Sequence, residues 1–97
     1  MKLNLKRITL TGATTKVEFK EMCGKWLVKN FTDADIYVSF EAGSNGELVE
    51  ADAVKIKSNY GQIVIGNEQY DYTNVFKTKA IYIKGTGEVE VQQLCFQ

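Results

Sequence analysis

The chain has 97 residues, of which 44% are hydrophobic and 25% are charged, and these proportions are those of one small globular domain. Twelve Lys and Arg balance twelve Asp and Glu, so the chain lacks the basic excess of nucleic-acid binders, and its apolar runs are far shorter than the roughly 20 residues of a membrane span. From this charge balance and these short runs we expect neither a nucleic-acid nor a membrane partner. Because the chain has no histidine, we also expect no enzyme, no catalytic residue, no metal site and no cofactor.

Short runs of alternating apolar and polar residues, rich in β-branched and aromatic side chains, are separated by Gly, Asn, Asp and Ser. In chain order these runs are Leu3 to Leu10, Thr15 to Lys20, Lys25 to Phe31, Ala34 to Phe40, Ala53 to Lys57, Gln62 to Ile65, Ala80 to Ile83 and Glu88 to Gln92. No stretch of ten or more residues keeps a helical apolar stripe. The pattern predicts an all-β fold, a small antiparallel β-sandwich of about seven to eight strands, Ig-like or jelly-roll-like, with residues 1–97 as a single domain.

The clearest predicted strand is Ala34 to Phe40. Ile36, Val38 and Phe40 share one parity and are expected to face the core, as in a half-buried antiparallel strand. Two glycines and an asparagine in residues 42–46 then supply the backbone conformations that a tight reversal needs.

Near the C-terminus, two runs joined by a glycine-rich segment predict a β-hairpin. Val89 and Val91 are expected to face the core of this hairpin, which places Glu90 on the solvent side. Apolar residues change parity beyond Gln92, and this change predicts a bulge or a switch between sheets near Gln92 and Gln93. A similar change predicts a bend near Lys6 and Arg7 in the first strand.

Two cysteines, Cys23 and Cys95, lie 72 positions apart. Without histidine or a CxxC pair they do not make a structural zinc site. A bridge between them would stabilise the fold by about 4 kcal/mol. The interpretation we favour is two reduced, small apolar side chains, and the bridge is the alternative.

Aromatic residues between the sixth and seventh runs suggest a contact surface. Tyr70 and Tyr72 lie in the polar stretch 67–74, with Tyr60 before them and Phe76 behind. Exposed tyrosines suit protein contacts because they combine a large area with a polar tip. The alternative is that they close one end of the sandwich.

Two stretches, WLVKNFTD (26–33) running into DIYVSF (35–40), and IYIKGTGEVEV (81–91), cover about a quarter of the chain. They resemble small all-β capsid-associated or decoration proteins encoded among the virion genes of phages and prophages of Gram-positive bacteria. The resemblance implies a non-enzymatic virion part, such as a capsid decoration or head-associated subunit. Its partners would be copies of itself and a capsid or other virion protein.

Two other functions fit the same residues. One is a carbohydrate or cell-surface binding module, with Trp26 and the loop tyrosines as stacking groups. The other is a small protein inhibitor of a host or phage enzyme. In each case we expect a chain that is cytoplasmic at synthesis, because no apolar segment follows the charges near Met1.

Overall fold

Strands make up nearly all of the regular structure in the computed structural model, which describes residues 4–58, 62–66 and 78–94. The described strands are β1 (Asn4–Thr11), β2 (Thr15–Cys23), β3 (Lys25–Asn30), β4 (Ile36–Ser39), β5 (Val54–Ile56), β6 (Gln62–Gly66), β7 (Thr78–Lys84) and β8 (Thr86–Gln93). One turn of 3-10 helix, Glu50–Asp52, lies between β4 and β5. The predicted all-β class and strand number are confirmed.

The strands pair as one long antiparallel hairpin that is rolled up on itself. β1 pairs with β8, β2 with β7, β3 with β6, and β4 with β5. Rolling adds the pairs β3–β8 and β4–β7, which gives two four-stranded sheets of order β1-β8-β3-β6 and β2-β7-β4-β5. Because this is the topology of an eight-stranded jelly roll, the jelly-roll alternative of the predicted sandwich is the one found, and the Ig-like alternative is not.

The core between the two sheets is formed by the inner-facing residues of the alternating strands. Its members are Leu10, Val17, Cys23, Trp26, Val28, Ile36, Val38, Ile56, Ile81, Ile83, Val89 and Val91, with Ile8, Phe19 and Phe40 packed against them. The expected inner faces of β4 and β8 are therefore confirmed.

The predicted C-terminal hairpin is wrong, because β7 and β8 belong to different sheets. The chain crosses from one sheet to the other at Gly85, where a Cβ atom would lie only 2.6 Å from Cγ2 of Ile36. A Cβ atom at Gly87, which has φ 118°, would likewise lie only 2.7 Å from Cγ2 of Thr32. Glycine is thus required here by the close packing of a sheet-crossing corner rather than by a hairpin turn.

The predicted bend near Lys6 and the predicted bulge or sheet switch near Gln92 are also wrong, since Gln92 and Gln93 stay paired with both β1 and β3. β1 and β8 keep one unbroken register over all of β1. Lys6 takes an inner-face position on this edge strand, and its Nζ lies 5.1 Å from the centroid of the Phe19 ring. Gln93, also on the inner face, accepts a hydrogen bond from Asn4 Nδ2 (2.9 Å) and donates one to the Glu21 carbonyl (2.8 Å). Polar side chains therefore occupy inner-face positions of β1 and β8. From the sequence, these polar residues are interpreted as points where the strand changes face.

A buried amide holds the β3–β4 connection against the end of β5. Asn30 Nδ2 donates to the carbonyl oxygens of Ala34 (3.0 Å), Ile56 (3.2 Å) and Lys57 (3.1 Å), while its Oδ1 accepts from the Thr32 N–H (2.8 Å). Because Asn30 is almost fully buried, these bonds satisfy the donor and acceptor groups of its own side-chain amide, which water does not reach.

Candidate functional site

An open cleft of about 530 Å³ lies beside β4 and β5. It is bounded by these two strands and by the long connection between them, residues 40–53. Its lining residues are Val38, Ser39, Phe40, Glu41, Ala42, Gly43, Val49, Asp52 and Val54. Its volume is within the range of pockets that bind ligands or the side chains of a partner. We call it the β5 cleft.

A tight reversal shapes the first half of the connection, as the sequence predicts. Gly46 N–H donates to the Gly43 carbonyl (2.9 Å), and Gly46 has φ 82°, a value that glycine adopts without a Cβ clash. Asn45 Oδ1 accepts from the Glu47 N–H (3.0 Å), which closes a local side-chain turn. Local hydrogen bonds within residues 43–47 therefore define the conformation of one wall of the β5 cleft.

Contacts with distant strands fix the second half of the connection. Leu48 is buried, and its N–H donates to Thr14 Oγ1 (3.1 Å), while the Thr14 hydroxyl donates to Glu47 Oε2 (3.0 Å). Lys84 Nζ on β7 lies 3.2 Å from Glu50 Oε2. The connection is therefore held to both the β1–β2 turn and β7, so the wall of the β5 cleft is preformed.

The β5 cleft exposes apolar surface. Four large hydrophobic side chains in the described part of the chain are strongly exposed: Met22, Phe31, Val49 and Val54. Two of them line the cleft, Val49 at 48% exposure and Val54 at 39%. Val54 pairs directly with Val38, which is fully buried. The apolar core therefore extends to the cleft, where the side chains of Val49 and Val54 are exposed to solvent.

The rim of the β5 cleft is acidic. Residues 40–53 contain four Asp and Glu and no Lys or Arg. Within the described ranges, neither Glu41 nor Asp52 forms an ion pair, and both line the cleft. An apolar floor with unpaired carboxylates at its rim suits a partner that presents a small apolar side chain next to Lys or Arg.

A second charged group, which we call the Glu90 cluster, lies on the outer face of the other sheet. It consists of Arg7, Lys29, Glu90 and Gln92, on three adjacent strands. Glu90 Oε1 accepts from Arg7 Nε (2.9 Å), and Glu90 Oε2 accepts from Gln92 Nε2 (3.0 Å) and lies 3.4 Å from Lys29 Nζ. The hydrogen bond from Arg7 is the main cause that lowers the pKa of Glu90, and the bond from Gln92 comes second.

The Glu90 cluster corrects the expectation that Glu90 faces water. Glu90 does point away from the core valines, but its side chain keeps only 5% of its exposure. The side chains of its cross-strand neighbours cover it. Among the described residues, its hydrogen bonds and ion pairs all lie within the cluster, which indicates a structural role for this carboxylate.

Cys23 and Trp26 also differ from expectation. Cys23 is disulfide-bonded, so the favoured interpretation of reduced thiols is wrong for this residue. Trp26 is fully buried, and its indole N–H donates to the Cys23 carbonyl (3.1 Å). Because its ring lies in the core against Phe19, Trp26 is not available to stack on a sugar.

The predicted contact residues Tyr60, Tyr70, Tyr72 and Phe76 all lie outside the described residues. The β5 cleft was not predicted from sequence. Two signals were present in residues 40–53: a purely acidic charge, and the adjacent apolar pair Leu48 and Val49 within a polar loop.

In the ranges 4–58, 62–66 and 78–94, no three His, Cys, Asp or Glu side chains are grouped so that they would hold a metal ion. The same ranges contain no helix with the length and hydropathy of a membrane span. In comparisons with known proteins, no family model matches the chain, and no curated protein and no solved structure matches it significantly.

Proposed function

We propose that this chain is a non-enzymatic structural protein of a phage or prophage particle, a capsid decoration or head-associated subunit that acts through protein–protein contacts. The observation that carries the proposal is the β5 cleft, in which Val49 and Val54 are exposed on a preformed surface. In a small soluble domain, a contiguous apolar patch that is exposed in the isolated chain commonly marks a site where a partner binds.

Fold and sequence support the same function. The jelly roll occurs in viral capsid domains, although it also occurs in lectins and enzymes, so the fold alone favours no single activity. The stretches 26–40 and 81–91 resemble phage decoration proteins, and they form β3, β4, β7 and β8. These four strands supply most of the core, so the resemblance concerns the scaffold of the fold. The proposed contact with the partner is made by the β5 cleft.

The partner segment is proposed to be extended and basic. β5 is a short strand at the end of its sheet, and such an edge accepts an added strand. The carboxylates of Glu41 and Asp52 attract Lys or Arg on that segment, while Val49 and Val54 receive an apolar side chain between them.

The particle assignment is tested by inducing the prophage of the organism that encodes the chain and purifying the particles on a density gradient. Mass spectrometry then gives the ratio of this chain to the major capsid protein. We expect a constant ratio across the particle peak. A chain that is found only in the soluble fraction would overturn the assignment.

The cleft is tested by binding the purified chain to particles that lack it. The double variant Val49→Asp, Val54→Asp is expected to bind at least about tenfold more weakly, because it places two more charges on the apolar floor. The matched control is Thr9→Asp, at an exposed position on the outer face of the other sheet. If the double variant binds as tightly as the control, the cleft is not the contact.

A further inference from the structure

We infer that the side-chain amide of Asn45 is a site of spontaneous modification, at which the folded chain loses ammonia through a cyclic imide and gains a carboxylate. The site lies in the tight reversal that forms one wall of the β5 cleft. The inference goes beyond the proposed function and does not depend on it, because the reaction takes place within a single chain in water.

The described ranges contain three asparagines, Asn4, Asn30 and Asn45, whose amide groups lie in different surroundings. Asn30 is buried, and its Nδ2 donates to three backbone carbonyls. Asn4 Nδ2 donates to Gln93 Oε1 (2.9 Å). Asn45 is exposed, and within the described part of the chain its Nδ2 donates to no other group. Of these three amides, Asn45 therefore has the nitrogen that is free to leave.

The residue that follows Asn45 presents an unhindered backbone nitrogen. This residue is Gly46, which has φ 82°, and no atom lies within 4 Å of the place where a Cβ would stand. The nitrogen after an asparagine reaches the side-chain Cγ by closing a five-membered ring, and a Cβ on the following residue crowds that approach. Asn4 and Asn30 are followed by Leu5 and Phe31, which carry large side chains.

A hydrogen-bond donor already holds the oxygen on which charge develops. The Glu47 N–H donates to Asn45 Oδ1 at 3.0 Å. When the Gly46 nitrogen attacks Cγ, this oxygen becomes an oxyanion, and an N–H fixed at such a distance stabilises it. The reversal thus places a donor, an electrophilic carbon and a nucleophilic nitrogen on three consecutive residues.

One hydrogen bond opposes the reaction. The Gly46 N–H donates to the Gly43 carbonyl at 2.9 Å, and this bond has to break before the nitrogen loses its proton. Residues 44–47 are all exposed, so the reversal opens without removing any of these side chains from the core. Exposed loops of this kind open at low free-energy cost, and the reaction proceeds from the opened turn.

The chemistry needs only water as co-reactant. The Gly46 nitrogen gives its proton to solvent and bonds to Asn45 Cγ, the bond from Cγ to Nδ2 breaks, and Nδ2 takes up a proton and leaves as ammonia. Water then opens the cyclic imide at either carbonyl. Cleavage between the nitrogen and Cγ gives aspartate, and cleavage between the nitrogen and the backbone carbonyl carbon of residue 45 gives isoaspartate. No group is oxidised or reduced.

Both products change the wall of the β5 cleft. Each adds a carboxylate to residues 40–53, which contain four Asp and Glu and no Lys or Arg. The aspartate keeps the side-chain oxygen that accepts from the Glu47 N–H. The isoaspartate carries the backbone through Cγ, which lengthens the reversal and removes the geometry of that hydrogen bond. Modification therefore alters the charge of this connection and, in the second product, its shape.

The experiment is incubation of the purified chain at 37 °C, at pH 6 and at pH 8.5, followed by peptide mapping with mass spectrometry and fragmentation that separates aspartate from isoaspartate. We expect conversion at Asn45 to be at least about tenfold faster than at Asn4 or Asn30, whose amides are held by the fold. Conversion is expected to be faster at pH 8.5, because the attacking nitrogen must lose its proton, and both products are expected.

The matched control is Asn45→Gln, whose longer side chain would have to close a six-membered ring and is expected to stay an amide. Circular dichroism checks that both proteins remain folded. An Asn45 that is still an amide after several weeks at pH 8.5 would overturn the inference, because the bond to Gly43 would then block the attack. Equal conversion at Asn30, or aspartate without isoaspartate, would also overturn it, the latter because direct hydrolysis gives aspartate alone.

Discussion

Arg7 on β1 and Glu90 on β8 lie directly opposite each other in the sheet, with Arg7 Nε 2.9 Å from Glu90 Oε1. Lys29 on the next strand reaches the other carboxylate oxygen at 3.4 Å. The carboxylate is thus held between two cations from strands on either side of β8. Since the charged form of Glu90 is the form that these groups stabilise, the pKa of its carboxyl lies below its ordinary value.

Substitution Glu90→Gln is expected to lower the free energy of unfolding by at most about 1 kcal/mol at pH 7, because Arg7, the main partner of the buried carboxylate, is 66% exposed and solvent screens its attraction to Glu90. The pKa of Glu90 is lower in the folded than in the unfolded state. Its stabilisation is therefore fully present above the unfolded value, about 4.3, and is lost as the pH falls through the folded value. Urea unfolding of both proteins from pH 7 down to about pH 2 measures this loss.

The difference between wild type and Glu90→Gln should consequently shrink towards zero in acid. Glu88→Gln, at an exposed position on the same outer face of β8, is the control and should show little difference at any pH. A wild-type advantage that persists at pH 2 would show that Glu90 stabilises the fold through packing rather than through its charge.

Substitution Asn30→Asp is expected to destabilise the protein by roughly 3 kcal/mol or more. The amide nitrogen donates to three backbone carbonyls, and a carboxylate oxygen in its place would repel all three in a buried site. The matched control is Asn45→Asp, because exposed Asn45 uses its side-chain oxygen as an acceptor, which aspartate retains. Similar urea midpoints for the two variants would contradict the assigned role of Asn30.

Reduction is expected to lower the free energy of unfolding by about 4 kcal/mol. Cys23 is disulfide-bonded, and Cys95, the only other cysteine of the chain, lies outside the described residues. We therefore expect the bridge to join these two positions and to close a loop of about 72 residues. Urea unfolding with and without a reductant measures the loss, and peptide mapping without reductant identifies the bridge.

The variant Cys23→Ser is the control for this measurement, since it should unfold at the same lower urea concentration whether or not reductant is present. A wild type whose midpoint does not change on complete reduction would contradict a stabilising bridge.

Local pattern was sufficient to predict the strands and their inner faces. Ile36 and Val38, or Val89 and Val91, alternate with polar residues because one side of each strand is buried, and that alternation is visible in any short window. The jelly-roll pairing was not visible there. A glycine such as Gly85 suits a hairpin turn and a sheet-crossing corner equally well, and only its distance to Ile36 decides between them.

The candidate site depends still more on contacts between distant residues. Glu90 is covered by Arg7, which lies 83 positions away in the chain. The wall of the β5 cleft is held by Thr14, which is 34 positions from its partner Leu48. The acidic composition of residues 40–53 was available in the sequence, but its position beside exposed valines follows from the contacts of that connection with the β1–β2 turn and β7.

Val38 and Val54 provide a test of the β5 cleft itself, because they are the same residue type, paired in register on adjacent strands. Val38 is 0% exposed and Val54 is 39% exposed. Val38→Asp would bury an unpaired carboxylate, so it is expected to lower the free energy of unfolding by more than about 3 kcal/mol. Val54→Asp leaves its carboxylate in solvent within the cleft, and a loss of at most about 1 kcal/mol is expected.

Urea unfolding with circular dichroism detection, fitted with a common m-value, gives both differences. The neutral variants Val38→Thr and Val54→Thr, which keep the β-branched shape, repeat the comparison without a charge and should keep the same order. If Val54→Asp is as damaging as Val38→Asp, then Val54 is buried in solution and the cleft is closed. The exposed apolar surface on which the proposed contact depends would then be absent, whereas a large difference between the two positions supports an open cleft with an apolar floor.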